Sequence, residues 1–367
     1  MNLNTFLRRA TEFYSTGVCF YLRSAPGRGK TTTVIDAADK IGKDLGKNIG
    51  IVVINGPNLT PGDTIGFGVP KHSKDEHGRP ISEMVFTLPF FWRTDEGKLL
   101  EEYEGGIIFV DEADKMDVDI KKVMGEMALS GRCGSHRLPP GWVVWMAGNR
   151  QEDRSGSTKE LDHLINRRLE INIEDDITGW EQWALKNNVN PSIIAFAVNN
   201  PMVVFPQTLP DKQGPFCTPR SLVAVGHVLD IMAGNVPGNS RGNLPTETDA
   251  VEIAAAGIGG AAAAQLFATL RLEAELPDME TIMSAPGQAK LPSKPDAQML
   301  VCYKLASITD ERNIKPIVAY VQRLPTDFAA TYAKATVTRK PMLAATPTMI
   351  DWCKTNSALL AIIGALK

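Results

Sequence analysis

The sequence has no surplus of positive charge: 39 lysines and arginines stand against 42 aspartates and glutamates, a net charge of −3. Dedicated nucleic-acid binders carry such a surplus, so a DNA-binding role would have to rest on a local patch. Cysteine is sparse. Cys19, Cys133, Cys217, Cys302 and Cys353 lie far apart, none in C-x-x-C spacing. Neither a disulfide framework nor a cysteine zinc site can be built from them. His72 and His77 share one hydrophilic stretch without a cysteine pair, the pattern of a solvated loop rather than of a metal site. No apolar run reaches the length of a membrane span, and ALLAIIGAL near the C-terminus is too short. The N-terminal MNLNTFLRRATEFY is amphipathic and charged, without an apolar h-region or a small-residue cleavage site. No repeat of solenoid period stands out. Together these absences predict a reduced, soluble, cytoplasmic protein with no membrane partner.

What is present is an ordinary globular composition, 43% hydrophobic and 22% charged over 367 residues, enough chain for two or three domains. Up to about residue 175, short apolar runs alternate with amphipathic stretches. Gly17–Leu22, Ile49–Ile54, Gly106–Val110 and Trp142–Ala147 read as buried strands, and Leu169–Ile173 alternates as an edge strand does. Thr31–Leu45 and Val118–Leu129 read as helices between them, so a parallel sheet covered on both faces is expected. Beyond Asp175 helices dominate: Gly179–Lys186, Pro191–Val198, Pro219–Met232, Asp249–Leu272, Ala297–Ile308 and Lys315–Val321. The Gly/Pro/Asn-rich stretch Ala233–Thr248 reads as a long loop, and Pro292–Pro295 as a second break.

The segment from Ser24 to Thr31 (SAPGRGKT) falls between the first strand and the first helix. A phosphate cradle belongs there, because the turn's N–H groups and the helix N-terminus both favour an anion. Pro26, Gly27, Arg28, Gly29, Lys30, Thr31 and Thr32 form the candidate nucleotide-binding segment. Gly27 and Gly29 let the backbone approach the phosphates, Lys30 reaches the β- and γ-phosphates, and the Thr31 hydroxyl ligates Mg²⁺. Ser24 stands where the pattern has its first glycine. The apolar strand Gly106–Val110 then runs into Asp111 and Glu112. Asp111 at the strand end can hold Mg²⁺ beside the phosphate loop, and Glu112 can orient or deprotonate the attacking water. Acidic residues also cap helices, but these two with Lys30 and Thr31 upstream point to nucleotide hydrolysis. Asn149, at the tip of the strand expected between the two motif strands, would contact the γ-phosphate or the lytic water. An arginine at 167 or 168, just before the edge strand, is either a solvated surface residue or, in a ring of subunits, faces the neighbour's γ-phosphate. Arg220, in a helix opened by Pro219, would lean over the nucleotide.

In their order and spacing these residues resemble an AAA+ ATPase, and more narrowly its MoxR branch. GGIIFVDEADKMDVDIKKVMGEMALSGR, HRLPPGWVVWMAGNRQEDRSG, LINRRLEI and TPRSL carry the likeness across roughly residues 17 to 230, and Ser130–Pro140 matches the branch's β-hairpin insert. The resemblance implies an α/β fold: a P-loop NTPase αβα sandwich with a five-stranded parallel sheet, then an all-helical lid and a helical C-terminal region. The boundaries are 1–175 for the ATPase core, 176–272 for the lid and 273–367 for the C-terminal extension. It implies ATP and Mg²⁺ as ligands, with Lys30 and Thr31 as Walker A and Asp111 and Glu112 as Walker B. Asn149 becomes sensor 1, Arg167 the arginine finger and Arg220 sensor 2. Arg168 competes with Arg167, and Arg154 is either a second interfacial arginine or a plain surface residue. It also implies a hexameric ring acting with a partner that bears a von Willebrand factor A-type domain, in a remodelling role.

Gly62–Arg93 falls where such rings place a first pore loop, and it is long for a plain connection. Phe67 or the Phe86–Trp92 cluster would touch a substrate there, or else pack on the core. A nucleic-acid motor on the same fold is the alternative, since Lys71, Lys74 and Arg79 would repeat around a ring. A steep fall of DNA affinity with salt would mark it.

Overall fold

The continuous apolar runs of the first half become one sheet. A computed structural model describes residues 1–150, 165–166, 168–208, 210, 213–236 and 242–356. Its strands are β1 (Phe20–Arg23), β2 (Ile49–Asn55), β3 (Gly68–Lys74), β4 (Pro80–Phe86), β5 (Gly105–Asp111), β6 (Arg132–Cys133), β7 (His136–Arg137), β8 (Trp142–Gly148) and β9 (Leu169–Asn172). Five of them pair in the order β2-β5-β8-β1-β9, every neighbour parallel. The acidic strand β5 and the phosphate-loop strand β1 therefore flank β8, and Arg23 lies level with Gly148. β9 is an edge strand, as its alternation predicts.

Alternate side chains of each central strand enter opposite layers. Ile107 and Phe109 of β5, with Val143, Trp145 and Ala147 of β8, join Phe6, Val34, Ala37 and Ile41 in one core cluster. The cluster takes in the inner faces of α1 (Leu3–Arg8), α2 (Ala10–Ser15) and α3 (Lys30–Leu45). Ile108, Val110, Val144 and Met146 point the other way, against Ile120, Met124 and Met127 of the helix Val118–Ser130. Helices cover both faces, giving an αβα sandwich.

The chain divides into two compact units, Met1–Asp175 and Asp176–Lys367. The second unit is helical, and one hydrophobic cluster runs through it from Ala184 to Cys353, across residues 272 and 273. The helix Pro295–Ile308 packs against both Pro191–Asn199 and Thr326–Arg339. The single helix expected over Asp249–Leu272 is two, Thr248–Ile258 and Gly260–Arg271. Gly259 separates them at φ +81°, and a Cβ there would meet the Pro215 carbonyl at 2.7 Å. Only glycine tolerates both conditions.

Cys19, Cys133, Cys217, Cys302 and Cys353 are all free and buried. Burial pushes the Cys19 thiol up to about 12 and Cys133 up to about 11. With the thiolate suppressed, the native chain should react slowly with a disulfide reagent at about pH 8. All 5 thiols should react rapidly once denaturant is added. A fast native burst of one thiol or more would contradict the burial.

Candidate nucleotide site

β1 ends at Arg23, and the chain turns through Ser24–Gly29 into α3. Gly27 (φ 73°) and Gly29 (φ 91°) lie in the left-handed region that side chains disfavour, and this turns the loop onto the helix N-terminus. A Cβ built on Gly29 would approach nothing nearer than Leu3 Cδ1 at 3.9 Å. The helix begins at Lys30, whose preceding amides and first-turn N–H groups make an anion site. Lys30 itself is buried at 7% exposure. Its Nζ donates to Ser24 O (3.2 Å), Ser24 Oγ (3.0 Å), Ala25 O (3.4 Å) and Asn149 Oδ1 (3.5 Å). The ammonium is held by the loop's own oxygens and by the strand-end asparagine.

Thr31 Oγ1 donates to Asp111 Oδ2 at 2.5 Å, joining the first turn of α3 to the end of β5. The other Asp111 oxygen accepts the Glu112 N–H at 2.9 Å. Glu112 has φ 52° and ψ 35°; among the described residues only Asn188 is another non-glycine at positive φ. Such strain persists where surrounding contacts enforce it. The Glu112 carboxylate is 3.0 Å from Lys115 Nζ and is 42% exposed. A hydroxyl and a carboxylate, both hard oxygen donors, meet beside an anion cradle and suit Mg²⁺. Thr31 and Asp111 are the residues that would hold it.

Lys30, Thr31, Asp111, Glu112 and Asn149 are thus brought to one end of the sheet. Pro26 and Gly27 are half-buried in the loop, and Thr32 is exposed. Arg28, placed by the sequence in the nucleotide-binding segment, pairs with Asp175: Nε is 2.7 Å from Oδ1, and Nη2 donates to Oδ2 at 3.2 Å. Arg167 and Arg154 lie outside the described residues. Arg168, the competing finger, is 7% exposed; it stacks on Tyr21 at 3.8 Å and pairs with Glu170 at 3.3 Å. Arg23 stacks on the same ring at 4.6 Å, contacts Glu170 and donates to Asn149 O at 3.2 Å. Arg220 is exposed in the first turn of Pro219–Met232, in the second unit. Thr218 caps that helix by accepting from Ser221 N at 3.1 Å.

Sequence reasoning misses Ser24 as a partner of Lys30, Asp175 as a partner of Arg28, and the Arg23–Tyr21–Arg168–Glu170 group. A serine in a glycine position is a signal for the first. Asp175 and Glu170 are 147 residues from their partners and have no local signature.

The strand order, the loop after β1 and the paired acids of β5 give the αβα P-loop sandwich with a five-stranded parallel sheet that the sequence predicts. No family model matches the chain, and neither does any curated protein. Solved structures similar to it include a candidate ATPase of Cytophaga hutchinsonii (14% identity, 70% of this chain and 80% of that one, TM-score 0.31). NtrX of Brucella abortus is another (14%, 99% and 68%, TM-score 0.35). RuvB of Thermotoga maritima, a Holliday junction branch migration motor, is a third (14%, 69% and 67%, TM-score 0.34). Among the described residues no helix is long and apolar enough to cross a membrane.

Proposed function

We propose that the chain is an ATP hydrolase that assembles into a ring, a hexamer by its MoxR resemblance, and couples turnover to remodelling a protein partner. The observation that carries the hydrolase reading is the junction of Lys30, the Thr31–Asp111 pair at 2.5 Å and Glu112 around one loop. Phosphates of ATP would displace the loop carbonyls from Lys30, which already lies against Asn149. Thr31 and Asp111 would carry Mg²⁺, which when bound neutralises charge on the β- and γ-phosphates. Glu112, released from Lys115, would take the proton of the attacking water. Asn149 would orient that water or the γ-phosphate.

Support for a protein partner comes from Gly62–Arg93. Its core is an antiparallel ribbon, β3 paired to β4 from Gly68↔Phe86 to Lys74↔Pro80. Nearly the whole ribbon is exposed, Met84 at 62% and Val69 at 49%, with Phe67 at 66% just before it. Phe91 and Trp92, by contrast, belong to the core. Apolar side chains on both sides of a two-stranded ribbon suit a polypeptide contact. The partner that the resemblance brings with it is a von Willebrand factor A-type protein.

The test is specific ATPase activity against protein concentration, with mass measured in parallel. Activity that climbs as a ring-sized species forms is expected; a concentration-independent rate from a monomer would remove the ring. In the same assay Arg167→Ala should keep ATP but lose roughly 10³-fold or more in rate. Mixed with Glu112→Gln subunits it should regain activity, because each variant supplies what the other lacks. Mixed rings without rescue would rule out a finger acting in trans.

A further inference from the structure

Ser24 opens the phosphate loop at the position where the pattern has its first glycine, and it brings a hydroxyl to a place where a glycine has no side chain. The residue is 1% exposed. Its backbone prolongs the line of β1, Ser24 N donating to Gly148 O at 3.4 Å. The hydroxyl gives its one proton to Ala25 O at 2.9 Å, so the lone pairs of the oxygen are left to accept. Lys30 Nζ donates to that oxygen at 3.0 Å, nearer than it stands to Ser24 O (3.2 Å), Ala25 O (3.4 Å) or Asn149 Oδ1 (3.5 Å).

An ammonium has three N–H bonds to give. The oxygens around Lys30 Nζ already draw on all of them, so an N–H bond given to a phosphate is withdrawn from an acceptor of the protein. Two of those acceptors, Ser24 O and Ala25 O, are main chain and would be present whatever side chains the loop carried. The Ser24 hydroxyl is the acceptor that this sequence adds.

We infer that Ser24 sets how tightly the loop holds nucleotide: its hydroxyl competes with the phosphates for the Lys30 ammonium. The inference rests on the nucleotide reading of the site. Ser24 is a positioning residue, acting through Lys30 and not on the substrate. In the nucleotide-free chain the hydroxyl shares the charge of a buried ammonium, and in the complex a phosphate oxygen takes that share. Removing the hydroxyl therefore takes a contact from the free chain and none from the complex, so binding tightens. The loop is built to let nucleotide go more readily than a loop with glycine at this position.

Calorimetric titration of the full chain with MgADP tests this, because ADP keeps the β-phosphate and is not consumed. Ser24→Ala and Ser24→Gly should each tighten MgADP about tenfold, and Ser24→Thr, which keeps the hydroxyl, should stay within about threefold of the wild type. Both variants that lack the hydroxyl should melt at a lower temperature than the wild type without nucleotide, and the deficit should narrow at saturating MgADP. A hydroxyl that merely supports the loop would instead weaken MgADP binding on removal and keep the deficit with nucleotide bound, which overturns the inference. Tightening in the glycine variant alone, or equally in the threonine variant, would assign the effect to the backbone or to bulk and overturns it as well. An unchanged Kd in both variants that lack the hydroxyl overturns it while leaving the nucleotide reading standing. Absence of MgADP binding by the wild type overturns that reading and the inference with it.

Discussion

Glu112→Gln should leave MgATP bound and lower its turnover by roughly 10²–10⁴-fold, the usual contribution of a positioned general base. Glutamine matches glutamate in size and shape, so the left-handed backbone at this position (φ 52°) is no more strained after the change than before. Lys30, Thr31 and Asp111 keep their contacts, so affinity should move only a few-fold. Loss of the Lys115 partner matters little, because that pair is half exposed and such pairs contribute under about 1 kcal/mol. What disappears is the ability to accept a proton from water. Single-turnover hydrolysis and nucleotide binding, measured on one preparation, separate the two effects. Hydrolysis near the wild-type rate would take Glu112 out of the catalytic role; loss of binding would show that the carboxylate holds the loop rather than activates water.

This variant tests the most legible part of the sequence. Lys30–Thr31 and Asp111–Glu112 are adjacent pairs at the ends of apolar strands, and their chemistry requires that adjacency. The sheet is legible for a related reason: β5 and β8 are buried on both faces, so Ile107–Val110 and Trp142–Ala147 carry no polar alternation to confuse them with surface segments. The ribbon β3–β4 reads in the sequence only as a long loop. Pro70 and Pro80 lie within it, and nearly every one of its side chains is exposed, so nothing in the pattern separates an inner face from an outer one. The helix Thr326–Arg339 escapes notice because Ala329, Ala330, Ala333, Ala335 and Thr336 make up most of its buried face, with only Tyr332 and Val337 as larger residues to set a period. Long-range electrostatic partners are invisible for a third reason. The Arg28–Asp175 ion pair and the Arg168–Tyr21 stack depend on β9 lying beside β1, which no local pattern encodes.

The second unit has its own buried charge, and removing it should have the largest effect on stability. Glu181 is 6% exposed. Its Oε1 accepts the Tyr303 hydroxyl at 2.6 Å and its Oε2 the Lys334 ammonium at 2.6 Å. One carboxylate thus joins three helices, Ile177–Lys186, Pro295–Ile308 and Thr326–Arg339, inside the core that also packs Leu222, Val225 and Leu229 of the Arg220 helix. Glu181→Ala leaves an ammonium and a phenol without their acceptor and should cost about 3–5 kcal/mol. Tyr303→Phe keeps the ring packing and the Lys334 pair, so it should cost only about 1.5–3 kcal/mol for a bond to a charged group. Burial, and then the Glu181 charge, raise the Tyr303 hydroxyl well above its ordinary value. The folded form therefore resists ionisation more than the unfolded chain does. That stability is complete below the unfolded phenol value of about 10 and is lost as pH rises beyond it. Denaturant titrations of the wild type and of Tyr303→Phe, run at neutral pH and above about pH 10, should therefore converge as the pH climbs. A gap between them that stays constant with pH, or a Glu181→Ala midpoint unchanged from the wild type, would show that the three helices are held by apolar packing alone.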